Sequence, residues 1–450
     1  MKGKYNKWFL LFFAIFISFV IIYWGEAPMT HVMGLMVLVV VSIHLSEYQL
    51  IHPYFWFSGI FALYSCSYPI LYSMGFELFT EISYSKETMI CQWLALSTFL
   101  ITLTPTNYET LRSPLSYVKS MRFSTLSLQV LHLMEFILFL FCLKLFASGY
   151  TSKKEIQAAG DIFFYAGERL AMIVDILFVY FVAVALANGI SLRKIKFEFI
   201  YSLVPILSFI LSTGDRSALF KYFFYLGIIL YTFKIITKKN LLLLLPVGVF
   251  VMLFSNVFRY IAMRSGADMA LEYDLRGIVF DFLTSDFHCA ARNLQVLIND
   301  PKTEGMFGLQ LILNDIVFVF YRGPGIISVS EWFNKTYFSG SIFGQAFTLV
   351  GEGYVMAGYL GIFVLFFVIG LIFRYLYKKS LKNIVWLIIF VVMAAAQCFA
   401  FREMFMSVLS PLLRQCLPVF IIIGICNKGG RNYFGKLIKS NVYEKKRILY

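Results

Sequence analysis

The chain of 450 residues is poor in charge. Asp, Glu, Lys and Arg make up 14% of it, while hydrophobic residues reach 60% and aromatics 19%. An average globular domain carries roughly a quarter charged residues, so a soluble or disordered protein is excluded and a polytopic membrane protein is predicted. Histidine is scarce, with five residues, and the seven cysteines are an odd number. Cys66, Cys91, Cys142, Cys398 and Cys416 lie inside hydrophobic runs, Cys289 falls in a long polar loop, and no C-x-x-C pair occurs. That is neither a disulfide framework nor a zinc spacing, so no metal and no cofactor is expected. Internal repeats and low-complexity linkers are lacking as well. So is the alternation of barrel strands, which leaves helices as the only spanning structure.

What is present is a succession of long apolar runs. The first, Trp8 to Trp24, follows Lys2, Lys4 and Lys7 like a signal peptide, but no small-x-small cleavage site follows it. It reads as a retained first span. Twelve candidate spans follow one another at 8–24, 29–46, 52–73, 89–105, 125–147, 170–188, 197–213, 218–236, 241–258, 342–373, 384–401 and 404–425. The fold class predicted is all-α, a single membrane bundle over 1–450 with about twelve transmembrane helices. Gly344, Gly351, Gly353, Gly358 and Gly361 interrupt the tenth run, so its first part is expected to be re-entrant or interfacial.

The formal charge of +14 would suit nucleic acid. Its placement argues otherwise. With the N-terminus in the cytoplasm, most of the 39 Lys and Arg residues fall in the inside segments, among them Arg193, Lys194, Lys196, Lys445, Lys446 and Arg447. That asymmetry is the positive-inside rule at work. It predicts both termini inside, no nucleic-acid partner, and one long external loop, 259–341, between spans nine and ten. Phe287–Leu294 and Leu309–Tyr321 in that loop read as amphipathic helices lying along the surface.

Charges at or within the membrane are costly, and each needs a reason. In Gly214-Asp215-Arg216, between spans seven and eight, Arg216 can offer a forked donor to an anion or snorkel to headgroups, and Asp215 can cap the next helix. Arg402 and Glu403 stand at the entry of the last span, and Arg414 lies roughly 18 Å further along it. Arg414 can face a wet cavity or pair with Glu135 or Asp175. Arg259, Arg264 and Arg292 belong to the long loop, as does His288, a structural histidine or a base. Arg322-Gly323-Pro324-Gly325 reads as a loop reversal before an anion nest. Glu352, between Gly351 and Gly353, can serve as a general base or neutralise an arginine. The arginines 216, 259, 264, 292, 402 and 414 gather toward the outer end in this topology. Such an array suits a diphosphate, on which charge grows as a bond breaks.

The Gly-x-Arg turn at Gly214–Arg216 and the long loop after span nine are two of four features that carry a resemblance. The others are the segment from Gly351-Glu352-Gly353-Tyr354 to Gly358-Tyr359-Leu360-Gly361, and Arg402-Glu403 with Arg414. By these, over roughly residues 200–425, the chain resembles the bacterial O-antigen and oligosaccharide repeat-unit polymerases of the Wzy type. The resemblance implies a multi-span, GT-C-like glycosyltransferase of the inner membrane, with the long loop and active face periplasmic. It would transfer a growing glycan from undecaprenyl pyrophosphate onto the next lipid-linked repeat unit. It also implies membrane lipid and a chain-length regulator as partners, and Arg216, Arg402 and Arg414 as diphosphate or glycan contacts. Glu352, His288 and Asp215, in that order, are then the candidate bases. The related O-antigen ligases share the span number, the loop and a functional histidine, so His288 keeps that alternative open. A lipid-linked oligosaccharide flippase would instead show two related halves, and a sensor or scaffold a signalling domain; neither is present in the sequence.

Overall fold

The computed structural model describes residues 2–75, 82–103, 123–149, 156, 159–213, 216–237, 239–240, 287–308, 310–320, 328–339 and 346–434. Helices stand at every expected span that falls within them. These are α1 (Lys2–Trp24), α2 (Pro28–Leu45), α3 (Pro53–Ser73), α4 (Lys86–Leu103), α5 (Thr125–Ala147), α6 (Ile162–Ala187), α7 (Lys196–Thr213) and α8 (Arg216–Thr232). The loop contributes α9 (His288–Asn299), α10 (Gln310–Phe320) and α11 (Val329–Tyr337). The C-terminal part follows with α12 (Leu349–Ser380), α13 (Ile384–Ala400), α14 (Met406–Pro411), a π-helical turn (Leu412–Cys416) and α15 (Leu417–Gly429). The expected span 241–258 and the Arg322–Gly325 turn lie outside the described residues, among which no strand is present.

Local chemistry explains where these helices begin. Pro28 and Pro53 occupy first turns, where an N–H would have no partner. Asp161 accepts the Phe163 and Phe164 N–H groups at 2.8 and 3.3 Å, and Ser124 accepts the Ser127 N–H at 3.0 Å. By length and composition six helices can cross a membrane: Asn6–Trp24, Pro28–Leu45, Thr125–Ala147, Ile162–Ala187, Leu349–Ser380 and Met406–Gly429. Two shorter apolar ones, Ala218–Thr232 and Ile384–Ala400, add to them. The chain is thus an all-α, multi-pass membrane protein.

It divides into two compact units. Unit 1 takes Met1–Tyr108, Tyr273–Lys378 and Ala396–Ser410; unit 2 takes Glu109–Glu272, Lys379–Ala395 and Pro411–Tyr450. In unit 1, α1 to α4 pack on one another and α9 lies across α3 and α4. Its core is aromatic: Phe57 stacks on Phe99, and Phe57, Phe61 and Tyr64 surround the buried Phe401. In unit 2, α6 is central. From Val174 to Ala187 its side chains are buried on every side, as expected of a helix apolar all round. Around it stand α5, α7, α8 and α15. The last turns of α15 are pinned to the start of α5, where Ser124 Oγ donates to the Cys426 carbonyl at 3.0 Å and its N–H donates to Asn427 Oδ1 at 3.0 Å.

Candidate functional site

A reversal inside α12 organises the residues of interest in unit 1. Ala357 (φ −162°, ψ 37°) and Gly358 (φ 59°, ψ −140°) leave helical geometry. The left-handed φ of Gly358 is one that glycine adopts at little cost. In an unbroken helix residues eight apart are separated by about 12 Å along the axis. Here a Cβ on Gly361 would stand 2.0 Å from the Gly353 carbonyl oxygen, and one on Gly353 would stand 2.7 Å from Ile362 Cα. Residues 349–356 and 359–380 are therefore two helical segments that cross at these glycines. Among the described residues the helix of the tenth apolar run starts at Leu349, and of the glycines expected to interrupt it Gly358 stands at the break while Gly351 and Gly353 lie in the helical segment before it.

Breaking a helix frees carbonyls, and the preceding loop takes them up. Gly305 N–H donates to Tyr354 O at 3.1 Å and Phe307 N–H to Val355 O at 3.0 Å. The Glu304 side chain lies over Gly358, its Oε1 2.5 Å from where a Cβ would stand. The loop is itself held, since buried Thr303 donates to Leu297 O at 2.7 Å and Tyr337 donates to Asp300 Oδ2 at 2.8 Å. Burial, together with that bond to Asp300, pushes the Tyr337 hydroxyl above the usual phenol range.

Glu352 lies in the first segment and is 1% exposed. Its Oε2 accepts the Phe405 N–H at 2.6 Å, a charge-assisted bond that closes the turn 401–405 between α13 and α14. Leu349 N–H donates to Phe401 O at 3.3 Å and ties the same turn to the start of α12. Arg402 sits in that turn, half-buried, its guanidinium carbon 5.7 Å from the Phe399 ring centre.

The helix α9 delivers His288 and Arg292 to the same group of elements. Its Asn293 side chain donates to Ala346 O, and its Leu297 side chain packs on Gly351. Half-buried Arg292 stands with its guanidinium carbon 5.9 Å from the Phe338 ring centre. His288 Nε2 lies 3.8 Å from Cys289 Sγ. Beside it Phe287 packs on Tyr64, which also packs on Phe401. His288, Arg292, Glu352 and Arg402 thus stand on mutually packed elements of unit 1.

Buried Gln295 fastens α9 to α4, its Oε1 accepting the Ser85 N–H at 2.8 Å and the Thr88 hydroxyl at 2.6 Å. Gln295→Ala leaves both donors without an acceptor and is expected to destabilise the protein by about 2 kcal/mol. Thermal unfolding of the purified protein checks this, and an unchanged midpoint would refute it.

The remaining candidates lie elsewhere. Arg216 opens α8 in unit 2, and Arg414 lies half-buried in the π-helical turn, with Pro411 before it and Pro418 after it. A π-helical turn within an α-helix is frequently found at functional sites. Asp215, Arg259 and Arg264 fall outside the described residues, as does the side chain of Arg216. Glu304, Asn293 and Gln295 escaped the sequence reading; Gly305 and Gly308, whose φ is positive, were the signal that a tight loop follows α9.

No curated protein and no solved structure matches the chain. Residues 329–429 match the family model described as O-antigen polysaccharide polymerase Wzy. That stretch begins with α11 and ends with α15, and so takes in the α12 reversal, Glu352, Arg402 and Arg414. Over this segment the chain is similar to that family.

Proposed function

We propose that the protein is a surface-polysaccharide polymerase, joining lipid-linked repeat units on the periplasmic face of the inner membrane. The observation that carries this reading is the family match over the α12 reversal and the last spans. The glycan of one unit leaves its undecaprenyl diphosphate carrier and is joined to a hydroxyl of the next. As the anomeric carbon–oxygen bond breaks, the electron pair goes to the diphosphate. The acceptor hydroxyl attacks the anomeric carbon and gives up its proton to a base.

Half-buried guanidiniums suit the diphosphate, because a forked donor of permanent charge is stronger where water is partly excluded. Arg292 and Arg402 of unit 1, and Arg216 and Arg414 of unit 2, are the residues to which we assign diphosphate or glycan contacts. Arg259 and Arg264 are further candidates for the same task. His288 is the accessible candidate base in unit 1, and Asp215 remains one in unit 2. Glu352 is given a positioning task, because its carboxylate is buried and bound to the Phe405 N–H. A chain-length regulator is the partner such a polymerase would work with.

The test is the surface-polysaccharide ladder of cells lacking the gene, complemented with wild type or with Arg402→Ala or Arg414→Ala. Wild type is expected to restore the ladder. The two variants, present in the membrane at wild-type level, are expected to leave a single repeat unit on the lipid anchor. Bare anchor with accumulated lipid-linked polymer would mean a ligase instead. An unaltered ladder in the deletion would refute the reading.

A further inference from the structure

The loop 304–308 does more than take up the carbonyls that the break in α12 frees. Gly305 packs on the break itself, since a Cβ there would stand 3.7 Å from Ala357 Cα. The Glu304 carboxylate lies against Gly358, the residue before Tyr359. Glu304 is exposed, Tyr359 is 42% exposed, and the Tyr359 ring meets that of buried Tyr354 edge-on at 6.5 Å. Three residues after Glu304, Phe307 meets Trp332 of α11 edge-on at 4.9 Å, both residues half-buried. An exposed carboxylate and partly exposed rings thus share one clasp of backbone, held by the Gly305 and Phe307 N–H bonds.

Position and charge narrow what such a group can receive. Tyr359 opens the second segment of α12, 359–380, which at about 33 Å is long enough to cross the hydrocarbon core by itself. Tyr359 and the loop against it therefore stand at the membrane border. A tyrosine there is ordinarily an anchor among headgroups. A carboxylate beside it is not, because anionic headgroups repel it, and it repels the diphosphate of a lipid carrier for the same reason. With Asp300 and Lys302 beside Glu304 the loop stays net negative, and Lys335 of α11 is taken up by Glu331 at 3.0 Å. What fits is a ligand with hydroxyls to donate and C–H faces to stack, which is a sugar. A carboxylate accepts from neighbouring hydroxyls in short, charge-assisted bonds, and the negative face of an aromatic ring attracts the C–H face of a pyranose. Gly358 follows Glu352 by six residues, the first four steps helical, so the two lie at most about 13 Å apart. Glu352 in turn holds the turn of Arg402. The sugar site therefore adjoins the guanidinium to which a diphosphate is assigned.

We propose that Glu304, Tyr359 and Trp332 bind the glycan of the lipid-linked substrate, and that the sugar at Glu304 is a neutral or amino sugar rather than an acidic one. Glu304 takes hydroxyl hydrogens, while Tyr359 and Trp332 offer ring faces to the chain of sugars. Diphosphate and glycan are then held by different groups, arginines for the first and a carboxylate with rings for the second. The ligand is taken from the polymerase reading, and no bond is made or broken at this site.

The test uses the full chain in lipid nanodiscs and oligosaccharides cut by mild acid from the surface polysaccharide of the same cells. Saturation-transfer NMR reads the contact sugar by sugar. Wild type is expected to pass saturation to the ring protons of a neutral or amino sugar. Glu304→Gln and Tyr359→Ala are expected to weaken binding by about tenfold or more, the loss of a hydrogen bond to a charged group being of that size. Trp332→Ala should weaken it several-fold, and Tyr359→Phe, which keeps the ring, should change it little. Leu360→Ala, an exposed neighbour at the same border, is expected to bind as wild type does, which separates sugar contact from membrane anchoring. Unchanged binding in Glu304→Gln, or saturation falling on an acidic sugar, would overturn the proposal. So would a wild type that binds no oligosaccharide. The ladder of the deletion strain tests the polymerase reading separately. Its loss beside unchanged binding in Glu304→Gln strikes the sugar site alone, and its survival beside a tenfold weakening strikes the polymerase reading alone.

Discussion

Gly361→Ala is expected to lower the stability of the protein by about 3 kcal/mol, at the upper end of overpacking costs, and to abolish polymerisation with it. The reason is what the added methyl meets. At 2.0 Å from the Gly353 carbonyl oxygen it meets backbone, which cannot rotate away as a side chain can. The two segments of α12 would have to separate, and with them the start of α12 that holds the turn of Arg402 through Leu349 and Glu352. Gly358→Ala is the useful comparison. Its left-handed φ costs about 1 kcal/mol, but the atom in the way is Oε1 of Glu304, the far end of an exposed, flexible side chain. The order expected is therefore Gly361→Ala far worse than Gly358→Ala. Thermal unfolding of both purified variants measures it, alongside the ladder in complemented cells. If Gly361→Ala unfolds within a degree or two of wild type, the crossing of the two segments is not as described.

The fold was largely legible because lipid permits so little. Apolar runs of spanning length became helices, and Pro28, Pro53, Ser124 and Asp161 mark helix starts by chemistry that one sequence displays. The amphipathic stretch beginning at Phe287 became α9, with Ala290, Ala291, Leu294 and Leu297 buried. The glycines from 351 to 361 were legible as an interruption. That Gly353 would meet Gly361 across the break was not, because periodicity reports which face a residue occupies and not what crosses it. The candidate site was legible only in part. Arginine at a membrane border or within a span signals itself by its cost, and Arg402 and Arg414 were picked out that way, while Arg292 came from the long loop. Glu352 also signalled itself, yet its acceptance of the Phe405 N–H joins residues 53 apart, a pairing that spacing cannot reveal. Glu304, Asn293 and Gln295 gave no signal, since polar residues in a polar loop look alike until the chain is folded. Glu135 and Asp175 stood out as charges in spans, and both are buried in the fold.

Glu352 offers the second large effect, and two substitutions separate its possible roles. Glu352→Ala is expected to abolish the polysaccharide ladder and to destabilise the protein by about 3 kcal/mol, since it leaves the Phe405 N–H buried without an acceptor and opens a void in the core. Glu352→Gln keeps the shape and keeps a carbonyl oxygen for that N–H. It gives up only the charge assistance, worth about 1 kcal/mol. If Glu352 positions Arg402 by closing the turn 401–405, the glutamine variant should retain most of the activity while the alanine variant retains none. A catalytic base would give a different result: the glutamine variant would keep the same near-native stability and be inactive, because an amide cannot take the acceptor's proton at neutral pH. The geometry favours the first outcome. A carboxylate 1% exposed, with one oxygen 2.6 Å from a backbone donor, has little room to receive a substrate hydroxyl. His288→Ala, at the half-exposed start of α9, is the companion measurement. Full activity in Glu352→Gln together with its loss in His288→Ala would support the base on α9 and the positioning task of Glu352 on α12.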